Sequence, residues 1–305
     1  RHIAWYITQY TAECIAHYYG SSMNHLFVDN LTVIDFAYLD ATRGLVGESW
    51  IADIVLGGEL DDQGMVFDFS HVKRVIKQVI DAQVDHRLVV PKGHPGLLRN
   101  DQTPQHFVWQ LANGEHINHT GPDEAVLWLA GDTVTKAAVA TLLEHELKAV
   151  LPNNVISVDV HLREEVLKGP YYHYVHGLKK HLGNCQRIAH GHRSPICIHR
   201  NEQRDTALEA RWAELWKDIY VGTEEDISRR FVDAKGTEYI HFEYEANQGE
   251  FALTLPASRV YMMDTDTTVE LIAAHIADQL KQEFPEDSIR VKAFEGVGKG
   301  AMASR

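Results

Sequence analysis

The stretch Cys185-Gln-Arg-Ile-Ala-His190-Gly-His192 concentrates groups that do chemistry. In an extended strand, residues i and i+2 point to the same face. His190 and His192 can therefore offer two imidazoles to one metal ion. His176, in Tyr172-His-Tyr-Val-His176, supplies a third. Three neutral imidazoles with an open fourth position suit a catalytic zinc ion, which polarises a substrate oxygen. Cys185 then stands beside the metal as a candidate thiolate base. The competing reading is a histidine-rich surface loop, in a chain with 19 histidines. Cys185 and His176 at these spacings weigh against it.

The elements that must hold these groups alternate between strands and helices. Leu26 to Phe36 and Ser49 to Leu56 are rich in β-formers and predict two strands. Ser70 is a candidate helix cap, followed by a stripe of Val72, Val75, Ile76, Val79 and Ile80 at helical spacing. Asp85-His86 follows that helix. Residues 91–105 read as a polar loop, Pro122 to Ala130 as a helix start, 136–149 as a helix and Val155 to Leu162 as a strand ending at Glu164.

The second half repeats this order. Strands are predicted at Tyr172 to Leu178, Ser194 to His199, Tyr239 to Tyr244, Glu250 to Leu255 and Ile289 to Phe294, the last ending at Glu295. Helices are predicted at Ala207 to Lys217, with Trp212 and Trp216 as core residues, and from Thr268 to about Phe284, with Glu270 in its first turn. Residues 222–237 read as a charged loop. The matched landmarks are Phe36–Asp40 with Tyr172–His176, Val46-Gly-Glu48 with His190-Gly-His192, Glu124 with Glu270, and Val160–Glu164 with Val291–Glu295. The metal donors occur only in the second copy. Asp85-His86 occurs only in the first, with Arg259-Val260 in about its place in the second.

Bulk properties bound the function. A length of 305 residues suits one large domain or two of about 150. No apolar run reaches the roughly 18 residues that span a bilayer. Three cysteines make no disulfide framework, which predicts a reducing, cytoplasmic setting. A net charge of −14 argues against a general nucleic-acid binder. Lys179, Lys180, Arg187 and Arg193 concentrate positive charge near the motif, as an anionic substrate requires. Residues 1–22 fall outside the repeat and lack the basic start and small-residue cleavage site of a secretory signal. They are set apart as an extension with no assigned role.

Taken together, several motifs resemble the 6-pyruvoyltetrahydropterin synthase and 6-carboxytetrahydropterin synthase family of the tunnelling fold. They are Tyr172 to His176, Cys185 ahead of His190-Gly-His192, Gly64-Met-Val-Phe-Asp-Phe69, Asp85-His86, Thr268-Val-Glu270 and Glu295. The resemblance covers about residues 24–300, split over two degenerate copies where one is usual. It implies an α+β fold of two tandem tunnelling-fold units, residues 23–166 and 167–305. Each would be an antiparallel four-stranded sheet with helices on one face, the sheets assembling into a barrel through a homo-oligomeric ring.

The chemistry that the resemblance implies is a zinc-dependent lyase acting on 7,8-dihydroneopterin triphosphate. Zinc would sit on His176, His190 and His192. Cys185 would move a proton, with Asp85 orienting His86 in a relay. Glu270 would hold the pterin ring, and Glu295 is a second acidic candidate. The expected product is 6-carboxy-5,6,7,8-tetrahydropterin. The alternatives are the 6-pyruvoyl product, after triphosphate elimination alone, and a non-catalytic barrel that binds a pterin or purine. No nucleic-acid or membrane partner is expected.

Overall fold

The computed structural model describes residues 23–99, 103 and 105–305. The extension expected at 1–22 lies outside the described residues. The first half runs β1 (Asn24–Asp40), β2 (Gly44–Gly58), α1 (Phe69–Gln83), β3 (Leu88–Pro91), β4 (Leu97–Arg99), β5 (His106–Gln110), β6 (His116–Thr120), β7 (Val126–Leu129), α2 (Lys136–Lys148) and β8 (Val155–Glu164). The second half begins β9 (Tyr171–His176), β10 (His190–Arg200), β11 (Gln203–Arg204), α3 (Thr206–Leu215), β12 (Ile219–Thr223), β13 (Ile227–Val232) and β14 (Glu238–Ala246). It continues β15 (Gly249–Pro256), β16 (Val260–Met263), α4 (Val269–Glu283), β17 (Ile289–Phe294) and β18 (Gly300–Ser304).

The first sheet has the order β7-β3-β1-β2-β8 and the second β16-β12-β9-β10-β17-β18, with β11 paired to β10. Their common core repeats strand for strand. In each, the pair β1–β2 or β9–β10 is antiparallel, and two further strands run parallel on one side. The sheets are thus larger than the expected four antiparallel strands. The added parallel strands explain one further difference. Pro122 to Ala130 was expected to begin a helix, but a short 3-10 turn at Asp123–Ala125 leads into β7. A run as short as Val126-Leu-Trp-Leu does not distinguish helix from buried strand by pattern.

A third sheet, β13-β14-β15-β6-β5-β4, takes three strands from each half, joined where β15 meets β6. β14 and β15 are the strands expected at Tyr239 to Tyr244 and Glu250 to Leu255, whereas β4, β5, β6 and β13 lie in stretches expected to be loop or left unassigned, at 91–120 and 222–237. The alternation His106-Phe-Val-Trp-Gln with Gly114 in a positive-φ turn is their signal in the sequence.

Helices cover one face of each large sheet. Val72, Ile76 and Ile80 of α1 and Leu143 and Leu147 of α2 pack on Phe36, Trp50 and Ile54. The cap of α1 is Asp68, whose side chain accepts from His71 N, rather than Ser70. Trp212 and Trp216 join Ile272 and Ile276 of α4 over Tyr172 and Tyr174, as expected of core residues. The opposite faces meet in one further core, where Ala37, Val175, Tyr220, Phe107 and Phe242 pack together. At its edge Gly47 of β2 lies against Gly191 of β10. A Cβ on Gly47 would stand 2.0 Å from Tyr174 O, and one on Gly191 2.6 Å from Gly47 Cα. Glycine is required at both because backbone approaches backbone. Among the described residues, no helix is long and apolar enough to cross a membrane.

The ladders fix which residues correspond. β1 pairs Tyr38 with Val46, and β9 pairs His176 with His190. Tyr38 is therefore the counterpart of His176, displacing the expected Asp40. Val46 and Glu48 match His190 and His192, and Glu164 matches Glu295, as the sequence indicates. Glu124 lies in the 3-10 turn and corresponds to Ser258. Glu270 corresponds to Ala137, one residue into α2. The counterpart of Asp85-His86 is Lys217-Asp218, not Arg259-Val260; His86 and Asp218 share a positive φ, of 56° and 54°.

Candidate metal centre and active site

The β9–β10 register sets His176 directly opposite His190, and His192 follows two residues along the same face. All three are fully buried. One ring nitrogen from each lies within 4.8 Å of the others. His176 Nε2 is 3.3 Å from His192 Nε2. The Nδ1 atoms face outward to acceptors: His176 to Thr267 O at 2.9 Å, His190 to Arg187 O at 3.0 Å, and His192 to Asp35 Oδ1 at 3.3 Å. For His176 and His190 these bonds fix the tautomer that leaves Nε2 free to ligate, whereas His192 Nδ1 makes no hydrogen bond and Asp35 faces it as a charge. His190 Nε2 is buried with no hydrogen-bond partner. Burial, together with the neighbouring imidazoles, holds His176 and His190 well below the ordinary histidine pKa. Buried and convergent, with His190 Nε2 unsatisfied, this donor set fits a zinc ion. Glu295 Oε1 lies 3.9 Å from His192 Nε2, at the edge of the same cluster.

The first half supplies the other side. His86 stands with φ 56° between α1 and β3, its N–H donating to Asp35 O at 2.7 Å. Asp85 Oδ1 accepts from Asp35 N at 2.9 Å, and its Oδ2 meets His86 Nδ1 at 2.6 Å. That leaves His86 Nε2 for Cys185, and the ligand atoms of the two residues lie within 4.8 Å of one another. Cys185 sits in a 3-10 turn, Asn184–Gln186, just ahead of β10. His86, Cys185 and His190 form a second convergent group, so His190 belongs to both clusters. Burial opposes charging His86, but Asp85 and Cys185 outweigh it and raise its pKa to about 10. An Asp–His–Cys chain of this kind can move a proton to or from a neighbouring group.

Two residues that the sequence reading did not single out bear on the site. Asp35 is buried, at 2% exposure, and accepts from Ser49 Oγ at 2.5 Å and Lys299 Nζ at 3.0 Å. Burial works against its charge, yet His192, Lys299 and Ser49 hold its pKa well below the carboxylate range. A lone carboxylate inside Val33-Ile34-Asp35-Phe36 was the available signal. Lys299, in the turn after β17, had none.

The expected basic cluster does not stay together. Lys179 pairs with Asp226 at 2.5 Å and Lys180 with Asp266 at 3.0 Å. Arg193 turns to the opposite side of β10, over Tyr171. Arg187 remains, donating to His86 O at 3.4 Å beside Arg87, and burial with that neighbour lowers its pKa to about 10. Glu270 is exposed in the first turn of α4, three residues after Thr267.

The chain is similar in sequence to several known proteins. Residues 40–169 match the family model described as 6-pyruvoyl tetrahydropterin synthase. A putative 6-carboxy-5,6,7,8-tetrahydropterin synthase of Methanocaldococcus jannaschii is 27% identical over 143 residues, covering 43% of this chain and 81% of the relative. One of the same description from Pyrococcus horikoshii is 30% identical over 64 residues, covering 21% of this chain and only 38% of the relative's length. A Plasmodium falciparum 6-pyruvoyl tetrahydropterin synthase structure aligns with TM-score 0.38 and 17% identity over 47% of this chain and 91% of its own. Residues 40–169 are thus similar to the 6-pyruvoyl tetrahydropterin synthase family.

Proposed function

We propose that the chain is a zinc-dependent pterin synthase that converts 7,8-dihydroneopterin triphosphate to 6-carboxy-5,6,7,8-tetrahydropterin. The observation that carries this reading is the meeting of Asp85-His86 from the first half with Cys185 and His190 from the second. A binding protein has no need of a thiol in an Asp–His–Cys chain at a metal site. The choice of product follows the two relatives described as putative 6-carboxy-5,6,7,8-tetrahydropterin synthases.

His176, His190 and His192 hold the zinc ion, which when bound supplies Lewis-acid stabilisation of negative charge on the substrate side chain. Cys185 takes a proton from the side chain as its thiolate, which the charged His86 stabilises as a proton donor while Asp85 fixes its orientation. Glu270 accepts N–H bonds from the guanidine-like edge of the pterin, as a carboxylate does from Arg. Glu295 is the second acid beside the metal. Arg187 and Arg87 supply positive charge on the His86 side for the triphosphate.

The same proposal takes residues 23–166 and 167–305 as two tandem tunnelling-fold units. Further copies of the chain would join them edge to edge into a barrel, covering strands that otherwise leave backbone groups unpaired. The test is incubation of zinc-loaded protein with dihydroneopterin triphosphate, followed by mass analysis of the pterin and an assay for acetaldehyde. The 6-carboxy product with acetaldehyde supports the reading. A 6-pyruvoyl product without acetaldehyde replaces it with elimination alone, and unchanged substrate removes the enzyme.

A further inference from the structure

The counterpart of the metal centre in the first half is an open cavity of about 480 Å³. Tyr38, Glu48 and Glu164 line it, where the second half has His176, His192 and Glu295. The relationship across the halves is also exchanged. At the metal centre Asp35 of the first half faces His192 of the second at 3.3 Å. At the cavity His173 of the second half, the counterpart of Asp35, faces Glu48 of the first at 3.9 Å. With Tyr38, Val46 and Glu48 at the ligand positions, the cavity has lost the donor set for zinc.

What it has gained is positive charge and aromatic wall. Arg43, Lys136 and Arg193 line it, with Trp50 and Tyr171. Two of the cations are compensated: Arg43 by Asp218 at 2.6 Å and Lys136 by Glu164 at 2.5 Å. Arg193 is not. It is only 7% exposed, donates through Nη1 to Glu165 O at 3.0 Å, and rests its guanidinium 4.1 Å from the Tyr171 ring centre. Among the described residues it has no carboxylate partner within ion-pair distance. Glu48 and Glu164 line the same cavity and act on its charge from beyond that distance, which leaves its guanidinium edge without the paired carboxylate it is shaped for. Trp50 adds a second unmet need. It is 4% exposed, and its Nε1–H is buried with no hydrogen-bond partner. A cavity of this size holds a small molecule.

We propose that this cavity binds a small planar organic carboxylate, an aromatic or heteroaromatic acid, without metal. Arg193 pairs with the carboxylate, Trp50 Nε1–H donates a hydrogen bond, and the rings of Trp50 and Tyr171 flank the ligand plane. The site is separate from the zinc centre and does not depend on the reaction assigned there.

Calorimetric titration with benzoate and nicotinate tests it, on zinc-loaded protein and on protein stripped with chelator. The controls are benzamide, which keeps the ring and loses the charge, and acetate, which keeps the charge and loses the ring. One equivalent of benzoate or nicotinate should bind per chain in both metal states, at least 10-fold tighter than either control. Arg193→Met should weaken binding at least 10-fold. Trp50→Phe keeps the aromatic shape and should weaken it severalfold, which serves if Arg193→Met fails to fold. Benzamide binding as tightly as benzoate, binding that requires zinc, binding unchanged in a folded variant, or no saturable binding of either acid would each overturn the proposal.

Discussion

The His86 ring centre lies 5.0 Å from that of His190, although the two residues come from different halves of one chain. The strand β1 makes this possible. The backbone of Asp35 clasps Asp85-His86 from both sides, while its carboxylate faces His192. One residue of the first half thus aligns Asp85-His86 and His192 together.

His86→Ala should lower turnover by roughly 10²–10⁴-fold, the scale of a lost general acid–base group. Zinc content, measured by atomic absorption, should stay near that of the parent protein. The contact lies within one chain, so co-expressing His86→Ala with Cys185→Ala chains should restore nothing. Activity in the mixture above that of both single variants would place the working pair between chains instead.

Metal content should be one zinc per chain, because the first half offers Tyr38, Val46 and Glu48 at the ligand positions. His190→Ala should lose the metal. Asp35→Asn tests the outer contact to His192, and zinc affinity should fall roughly 10–100-fold. Competition with a chromogenic chelator measures both. An affinity unchanged in Asp35→Asn would leave Asp35 only the task of holding the 85–86 turn.

The three histidines were legible because their chemistry needs only strand periodicity and one ladder register. Other parts were not, for physical reasons. Sliding β1 against β9 by two residues keeps every side chain on the same face. Sequence likeness therefore allowed Asp40 as the partner of His176, and only the hydrogen-bond ladder selects Tyr38. Glu124 resembled Glu270 as an acid before an apolar run, yet Val126-Leu-Trp-Leu is a strand buried by neighbours distant in sequence. Lys179 and Lys180 looked available for substrate because the carboxylates that neutralise them, Asp226 and Asp266, lie some 50 and 90 residues away along the chain.

Gly47→Ala tests the close packing of the halves. The new Cβ meets Tyr174 O at 2.0 Å and His192 N at 2.6 Å, both backbone atoms with little room to move. Overpacking of this kind costs about 1–3 kcal/mol or more. Urea unfolding should show a lower midpoint, and the shift of β10 that relieves the clash should also weaken zinc binding. A variant with the parent midpoint and zinc affinity would show that the two strands separate easily.

Glu48 gives a stability prediction with a definite sign. Burial first, then the neighbouring Glu164 carboxylate, raise its pKa from 4.5 to about 7 against the Ser49 N–H, Arg193 and Lys136. Between those two pH values the folded chain holds a proton that the unfolded chain releases. Stability from this residue therefore falls as pH rises from 4.5 to 7, and levels off above that. The full difference is about 3 kcal/mol at most. Glu48→Gln keeps the neutral form at every pH and should remove this component. Other carboxylates titrate in the same range and contribute with opposite sign, so the informative quantity is the difference between variant and parent. Unfolding by urea at pH 5 and pH 8 should find Glu48→Gln close to the parent at pH 5 and more stable at pH 8. Parallel profiles for the two proteins would mean that the Glu48 carboxyl ionises in the fold as easily as in water, and that the cavity wall around it is wetter than its burial implies.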